Sequence, residues 1–155
     1  MPGVVIVGAS LAGLRCAQAL PDGFYQVGGL ANFLSEEPFG QAPRNDRFLV
    51  ELRPSGNAPG VGALFQFEGG AVTTNGEPTP YLPGTVTGIP EDVIRNGTAK
   101  QTGWGVVSGD PFHAPASNYV LEASVEDVGD SVVDSAALID KLDVTPVQAQ
   151  AQALP

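Results

Sequence analysis

Cysteine and histidine occur once each, at Cys16 and His113, in a chain of 155 residues. A single cysteine cannot close an internal disulfide, and neither residue has the spaced neighbours of a zinc cluster. Bases are also scarce: 7 Lys and Arg stand against 17 Asp and Glu, for a formal charge of −10. That balance repels nucleic-acid phosphates and anionic lipid, and no cationic run reverses it locally. Nucleic acid and membrane are therefore excluded as expected partners. No apolar run approaches the ~18 residues of a membrane-spanning helix, and the thiol usage points to a cytoplasmic protein.

Glycine (20) and proline (14) are by contrast abundant. Aromatic and β-branched residues are spread between them, which predicts a folded domain with long, punctuated loops. The length fits one core. Residues 1–143 are expected to form that single domain, and the repetitive "VTPVQAQAQALP" from Val144 is expected to fray as a tail.

Val4-Val5-Ile6-Val7 is a continuous apolar, β-branched run ending at Gly8, the pattern of a strand buried on both faces. From Ser10 to Leu20 the apolar residues broadly follow a helical face, and Pro21 stops it. Weak strands are expected over Phe24–Leu34 and in "RFLVELR", Arg47 to Arg53. A hairpin of two short strands is expected over Ala63–Thr74 around Gly69-Gly70, mostly loop from Thr74 to about Gly103, and a short strand at Gly105–Ser108. Val125, Val128, Val132, Ala136, Ile139 and Leu142 recur at helical spacing after Ser124, which predicts a long last helix.

The segment "GASLAG", Gly8 to Gly13, matches a dinucleotide fingerprint with Ser10 in place of the middle glycine. Such a turn needs Gly8 to bend tightly, a small residue at 10 so that backbone approaches a pyrophosphate, and Gly13 for close packing of helix on strand. The helix start then offers unpaired N–H groups to phosphate. A ribose-binding acid belongs about twenty residues further on, and Glu36-Glu37 stands near there. The competing reading, a secretory leader, fits poorly because no base precedes the apolar run of residues 4–14 and Arg15 falls between it and the cleavage-like Ala17-Gln18-Ala19.

The opening "VVIVGASLAGLRCAQAL" resembles the start of FAD-dependent ferredoxin reductases of the putidaredoxin- and rubredoxin-reductase group, where serine at the middle position is a common variant. "SEEPFGQAPRNDRFL" resembles that family's next landmark, with Glu37 as ribose ligand and Arg47 near a flavin-contacting arginine. "VTTNGEPTPYLPG" is similar to a strand-end segment through Thr74 and Gly76. "TGWGVVSGDPFHAP" resembles the late strand that delivers a Gly-Asp pair, here Gly109 and Asp110, to the flavin's ribityl and phosphate groups. Glu122 and Ser124 stand where the family opens a helix toward the flavin ring.

The resemblance implies an α/β fold, a small Rossmann-like parallel sheet with flanking helices and an additional β-hairpin. It also implies FAD as cofactor, held by Gly8, Ser10, Gly13, Glu36, Glu37, Arg47, Thr74, Gly76, Gly109 and Asp110, and a small electron-transfer protein as partner. Only residues 85–101 stand where the family inserts its nicotinamide domain, so flavin binding is implied more strongly than reductase turnover. The alternative from another class is a non-catalytic, acidic, β-rich binding or surface module. Among the remaining residues, Cys16 and Trp104 are expected in the core and His113 on the surface. The acids Glu122, Glu126, Asp127, Asp130 and Asp134 are expected on the solvated face of the last helix. Asn96-Gly97-Thr98 is a glycosylation sequon, relevant only to a secreted protein.

Overall fold

The computed structural model describes residues 4–8, 14–36, 46–70, 73–74, 77–78, 81–90, 94–126 and 135–147, with backbone alone for 4–8, 14, 73–74 and 77–78. The strands are β1 (Val4–Gly8), β2 (Leu14–Leu20), β3 (Gly23–Ser35), β4 (Arg47–Pro54), β5 (Phe65–Gly70) and β6 (Thr73–Thr74). They continue with β7 (Glu77–Pro78), β8 (Lys100–Gln101), β9 (Gly105–Ser108), β10 (Phe112–Ala114), β11 (Ser117–Glu126) and β12 (Ser135–Pro146). Sheet A runs β1-β12-β3-β10, with β8 and β9 also pairing β3. Sheet B runs β2-β11-β4-β5-β6-β7. Every pairing is antiparallel, and among the described residues there is no helix.

This corrects the expected Rossmann-like parallel sheet with flanking helices. Val4–Gly8 is a strand as read, but its partner is the antiparallel β12. The residues read as the first helix form β2, which pairs β11 from Leu14 to Leu20. Leu14, Cys16 and Leu20 satisfy a period of two as well as a helical face, and only the neighbouring strand decides between them. The expected last helix is likewise overturned. Tyr119, Leu121, Ala123 and Val125 alternate inward from β11, and Ala137 and Ile139 do so from β12. Val144–Pro146 belong to β12, so the tail's first residues do not fray. The Val147 amide donates to the Phe24 carbonyl at 2.9 Å.

Strands predicted at 24–34, 47–53 and 105–108 are present as β3, β4 and β9. Gly69 and Gly70, expected at the hairpin turn, lie within β5, which pairs β6 through Gly69 and Thr74. A Cβ on Gly69 would fall 2.3 Å from the Phe48 ring, so glycine there gives the ring its place. Gly29 has a similar role. β12 bulges between Asp140 and Asp143, and a Cβ on Gly29 would stand 2.8 Å from the Leu142 Cα.

The two sheets pack face to face around one apolar layer. Val27, Ala31 and Phe33 of β3, Phe48, Val50 and Leu52 of β4, Phe67 of β5 and Leu121 of β11 meet there. Phe33 and Phe48 stack across the layer with ring centroids 6.0 Å apart. A second, smaller core lies on the opposite face of sheet A, where the Pro- and Gly-rich segment brings Val86, Ile94 and Ala99 onto Leu34, Ala136 and Leu138. Asn96 holds that segment by bracketing the backbone of Ile89, accepting from its amide at 3.1 Å and donating to its carbonyl. The sequon asparagine is thus engaged inside the fold.

The chain passes between sheets at two proline corners. From β2 to β3 it turns at Pro21, and from β10 to β11 at Pro115. At each, a tyrosine four residues later donates its hydroxyl to the proline carbonyl, Tyr25 at 2.6 Å and Tyr119 likewise. Such tyrosine corners are a recurring device of antiparallel sandwiches. Burial pushes the Tyr119 phenol up, and the nearby Asp22 and Tyr25 push the same way.

Candidate functional site

Alternation that sends Phe48, Val50 and Leu52 inward sends Arg47, Leu49, Glu51 and Arg53 to the outer face of sheet B. Gln66 and Glu68 of β5 and Glu122, Ser124 and Glu126 of β11 share that face. Register places Arg15, Glu122, Glu51 and Gln66 in one row across four strands. Two carboxylates directly opposite one another repel. Arg53 resolves this conflict, its Nη1 donating to Glu51 Oε1 at 2.5 Å and Glu122 Oε1 at 2.6 Å. Arg15 Nε donates to the other oxygen of Glu122.

Residues 55–62 fold back over this row. The Gly60 amide donates to both oxygens of Glu51, at 3.0 and 3.1 Å, and Arg53 Nε donates to the Asn57 carbonyl at 2.9 Å. Gly60 has φ of 81°, a left-handed conformation that glycine adopts without a steric penalty. The loop leaves the Arg53 side chain 5% exposed and those of Glu51 and Glu122 10% exposed. An outer sheet face is thereby turned into a buried ionic floor. Burial alone would push the Glu122 carboxyl up, but the hydrogen bonds from Arg15 and Arg53 outweigh it and hold Glu122 below the usual carboxylate range. Burial would likewise push the Arg53 guanidinium down, and its bonds to Glu122 and Glu51 hold it above its ordinary value.

Beyond the floor, Arg47 Nη1 meets Glu68 at 2.8 Å and Nε meets Glu126 at 2.9 Å. The Glu126 bond is the main cause holding Arg47 above its ordinary value. Between this clasp and the wall of Pro59 and Gly60 lies an open groove of about 700 Å³ with Leu49, Gln66 and Ser124 on its floor. A second crevice of about 180 Å³ runs between Trp104 and the inner phenylalanines, with apolar and glycine lining apart from Thr102.

Among the described residues, those expected to hold FAD stand on separate elements. Ser10, Gly13, Glu37 and Gly76 lie outside the described residues, as do Asp127, Asp130 and Asp134. Gly8 ends β1 opposite Ala136. Glu36 follows β3 and accepts from Thr98 Oγ1 at 2.7 Å. Thr74 sits in β6 on the other sheet. The Gly109 carbonyl, toward the opposite end of β3, accepts from Gln26 at 2.8 Å, and Asp110 is exposed. Of the six described, Arg47 alone belongs to the groove, and there it pairs with glutamates.

Cys16 is exposed rather than buried, and β2 is the last strand of its sheet among the described residues. Trp104 is 48% exposed rather than in the core. His113 is on the surface as expected, 2.5 Å from Asp22. Sequence reasoning missed Glu51 and Arg53. The polar half of "RFLVELR" carries their signal, but alternation by itself specifies only a strand. Glu122 and Glu126 stand four residues apart, a spacing that fits a helix face and a strand face equally.

The fold and groove together define an antiparallel β-sandwich with an ion-paired outer groove. No protein-family model matches the chain, and no curated protein and no solved structure is detectably similar to it.

Proposed function

We propose that the protein is a non-catalytic recognition module that binds a positively charged, donor-rich peptide segment in the outer groove of sheet B. The observation that carries this reading is the Arg53 floor. Three ionised side chains are locked by one another and by the loop backbone before any ligand arrives, so little side-chain order remains to be imposed on binding. Four glutamates line the groove against one arginine, Arg47, which makes it richer in acceptors than in donors. The chain's charge of −10 steers cations toward it.

The paired carboxylates do not fit acid–base catalysis. A glycosidase-like pair needs one carboxyl kept protonated by a raised pKa, whereas Glu122 is held below the usual range and both Glu51 oxygens accept from Gly60. The flavin reading has little to rest on in this fold, which puts a strand where the phosphate-binding helix was expected.

Calorimetric titration with short oligolysine and oligoglutamate peptides tests the proposal. Oligolysine is expected to bind, more weakly at higher salt, and oligoglutamate not to bind. Glu68→Gln with Glu126→Gln is expected to weaken oligolysine about tenfold, or ~1.4 kcal/mol. Equal affinity of the double variant, or no binding at low salt, would refute it.

A further inference from the structure

We infer that the chain pairs with a second copy of itself through the free edge of sheet B, strand β2 lying antiparallel to its twin about a twofold axis. An unpaired strand edge is a template for another strand, and proteins ordinarily blunt it with short strands, bulges, proline or charge. One side of this sandwich is blunted in that way. Sheet B ends there in β6 and β7, two residues each with Pro78, and sheet A in the separate short strands β8, β9 and β10.

Among the described residues, the other side carries none of these devices except one arginine. β2 matches β11 through consecutive pairs from Leu14 to Leu20 without a bulge, and it contains neither proline nor lysine. Its only charge, Arg15, is committed to Glu122. Among the described residues no strand pairs with the outer edge of β2. Beside it, β1 closes sheet A with the uncharged run VVIVG.

The edge suits a second copy because β2 is self-complementary. A twofold axis through Ala17 sets Ala17 against Ala17, Cys16 against Gln18 and Arg15 against Ala19, so no like charges face each other. Cys16, Ala17 and Ala19 are all exposed, and their small side chains let two main chains approach to the ~4.8 Å of a ladder. Such a contact is isologous and closes after two copies. It joins the two B sheets into one twelve-stranded sheet. A strand of this length spans only ~24 Å, so the interface is small and the dimer depends on concentration. Each copy carries −10, so added salt screens their mutual repulsion and strengthens pairing. That is the reverse of the salt effect on a cation in the groove.

Sedimentation velocity of the full chain across a concentration series, at low and high salt, provides the test. The expected result is a monomer–dimer equilibrium that shifts toward dimer with salt. Ala17→Lys, which sets two ammonium groups face to face across the axis, is expected to leave monomer only, while Val106→Lys on β9 changes nothing. In a Cys16→Ser background, Ala17→Cys is expected to give a covalent dimer on mild oxidation. A chain that stays monomeric at high concentration and high salt overturns the proposal. So does a dimer that Ala17→Lys leaves intact while Ala17→Cys fails to cross-link.

Discussion

Arg53 decides the character of the groove. It lies between two glutamates that register forces into the same row, and its own donors are shared among Glu51, Glu122 and the Asn57 carbonyl. Removing one member of a buried ionic cluster leaves the others uncompensated, at a cost of about 3–5 kcal/mol. Arg53→Ala is accordingly expected to lower the urea midpoint by that equivalent and to release residues 55–62, seen as faster amide exchange at Gly60. An exchange rate at Gly60 equal to that of the parent chain would show that the loop is held by something else. Ser135 does a comparable job within the fold. Its hydroxyl donates to the buried Asp46 at 2.7 Å and lies 2.7 Å from the Ser35 hydroxyl, linking β12 and β3 to the start of β4.

The two proline corners show how elements, rather than single contacts, fix the path of the chain. Each tyrosine hydroxyl closes a four-residue span at a crossing between sheets. Tyr25→Phe and Tyr119→Phe keep the buried rings and lose one hydrogen bond each, so each is expected to cost ~1 kcal/mol. Because the corners are separate, the double variant is expected to show the sum, measured by denaturant unfolding. β4 and β9 were legible in the sequence because "RFLVELR" and "GVVS" are short, bounded and rich in β-formers. β2 and β12 were not: Leu14, Cys16 and Leu20 satisfy both periods, and β12 is buried on both faces, with Ala137 and Ile139 in one core and Ala136 and Leu138 in the other, so its apolar run carries no period of two. Pairing with β11 and β3 settles them, and partners so distant along the chain leave no local signal. The groove was half legible for the same reason. The polar faces of β4 and β11 could be read, but the fold-back of 55–62 that buries them could not.

For the molecule as a whole, acidity links stability to pH through the same cluster. Glu122 is held below the usual carboxylate range in the folded state, so it binds protons more readily when unfolded. Its contribution is fully present above the unfolded carboxyl value of about 4.3 and is lost as pH falls through the lower folded value. Stability is therefore expected to decline below that point. Glu122→Gln is expected to be less stable at neutral pH but to fall less steeply in acid, as followed by thermal unfolding between neutral pH and the acid transition. A parallel decline in the two chains would place the acid sensitivity elsewhere.

On the proposed reading, one face of the antiparallel sandwich receives a cationic segment. Amide chemical-shift mapping of the labelled chain during titration with oligolysine at low salt tests this most directly. The expected perturbations cluster on Leu49, Gln66, Glu68, Ser124 and Glu126, with β2 and the Trp104 crevice unchanged. Shifts scattered over the acidic surface, or centred away from β4, β5 and β11, would contradict it.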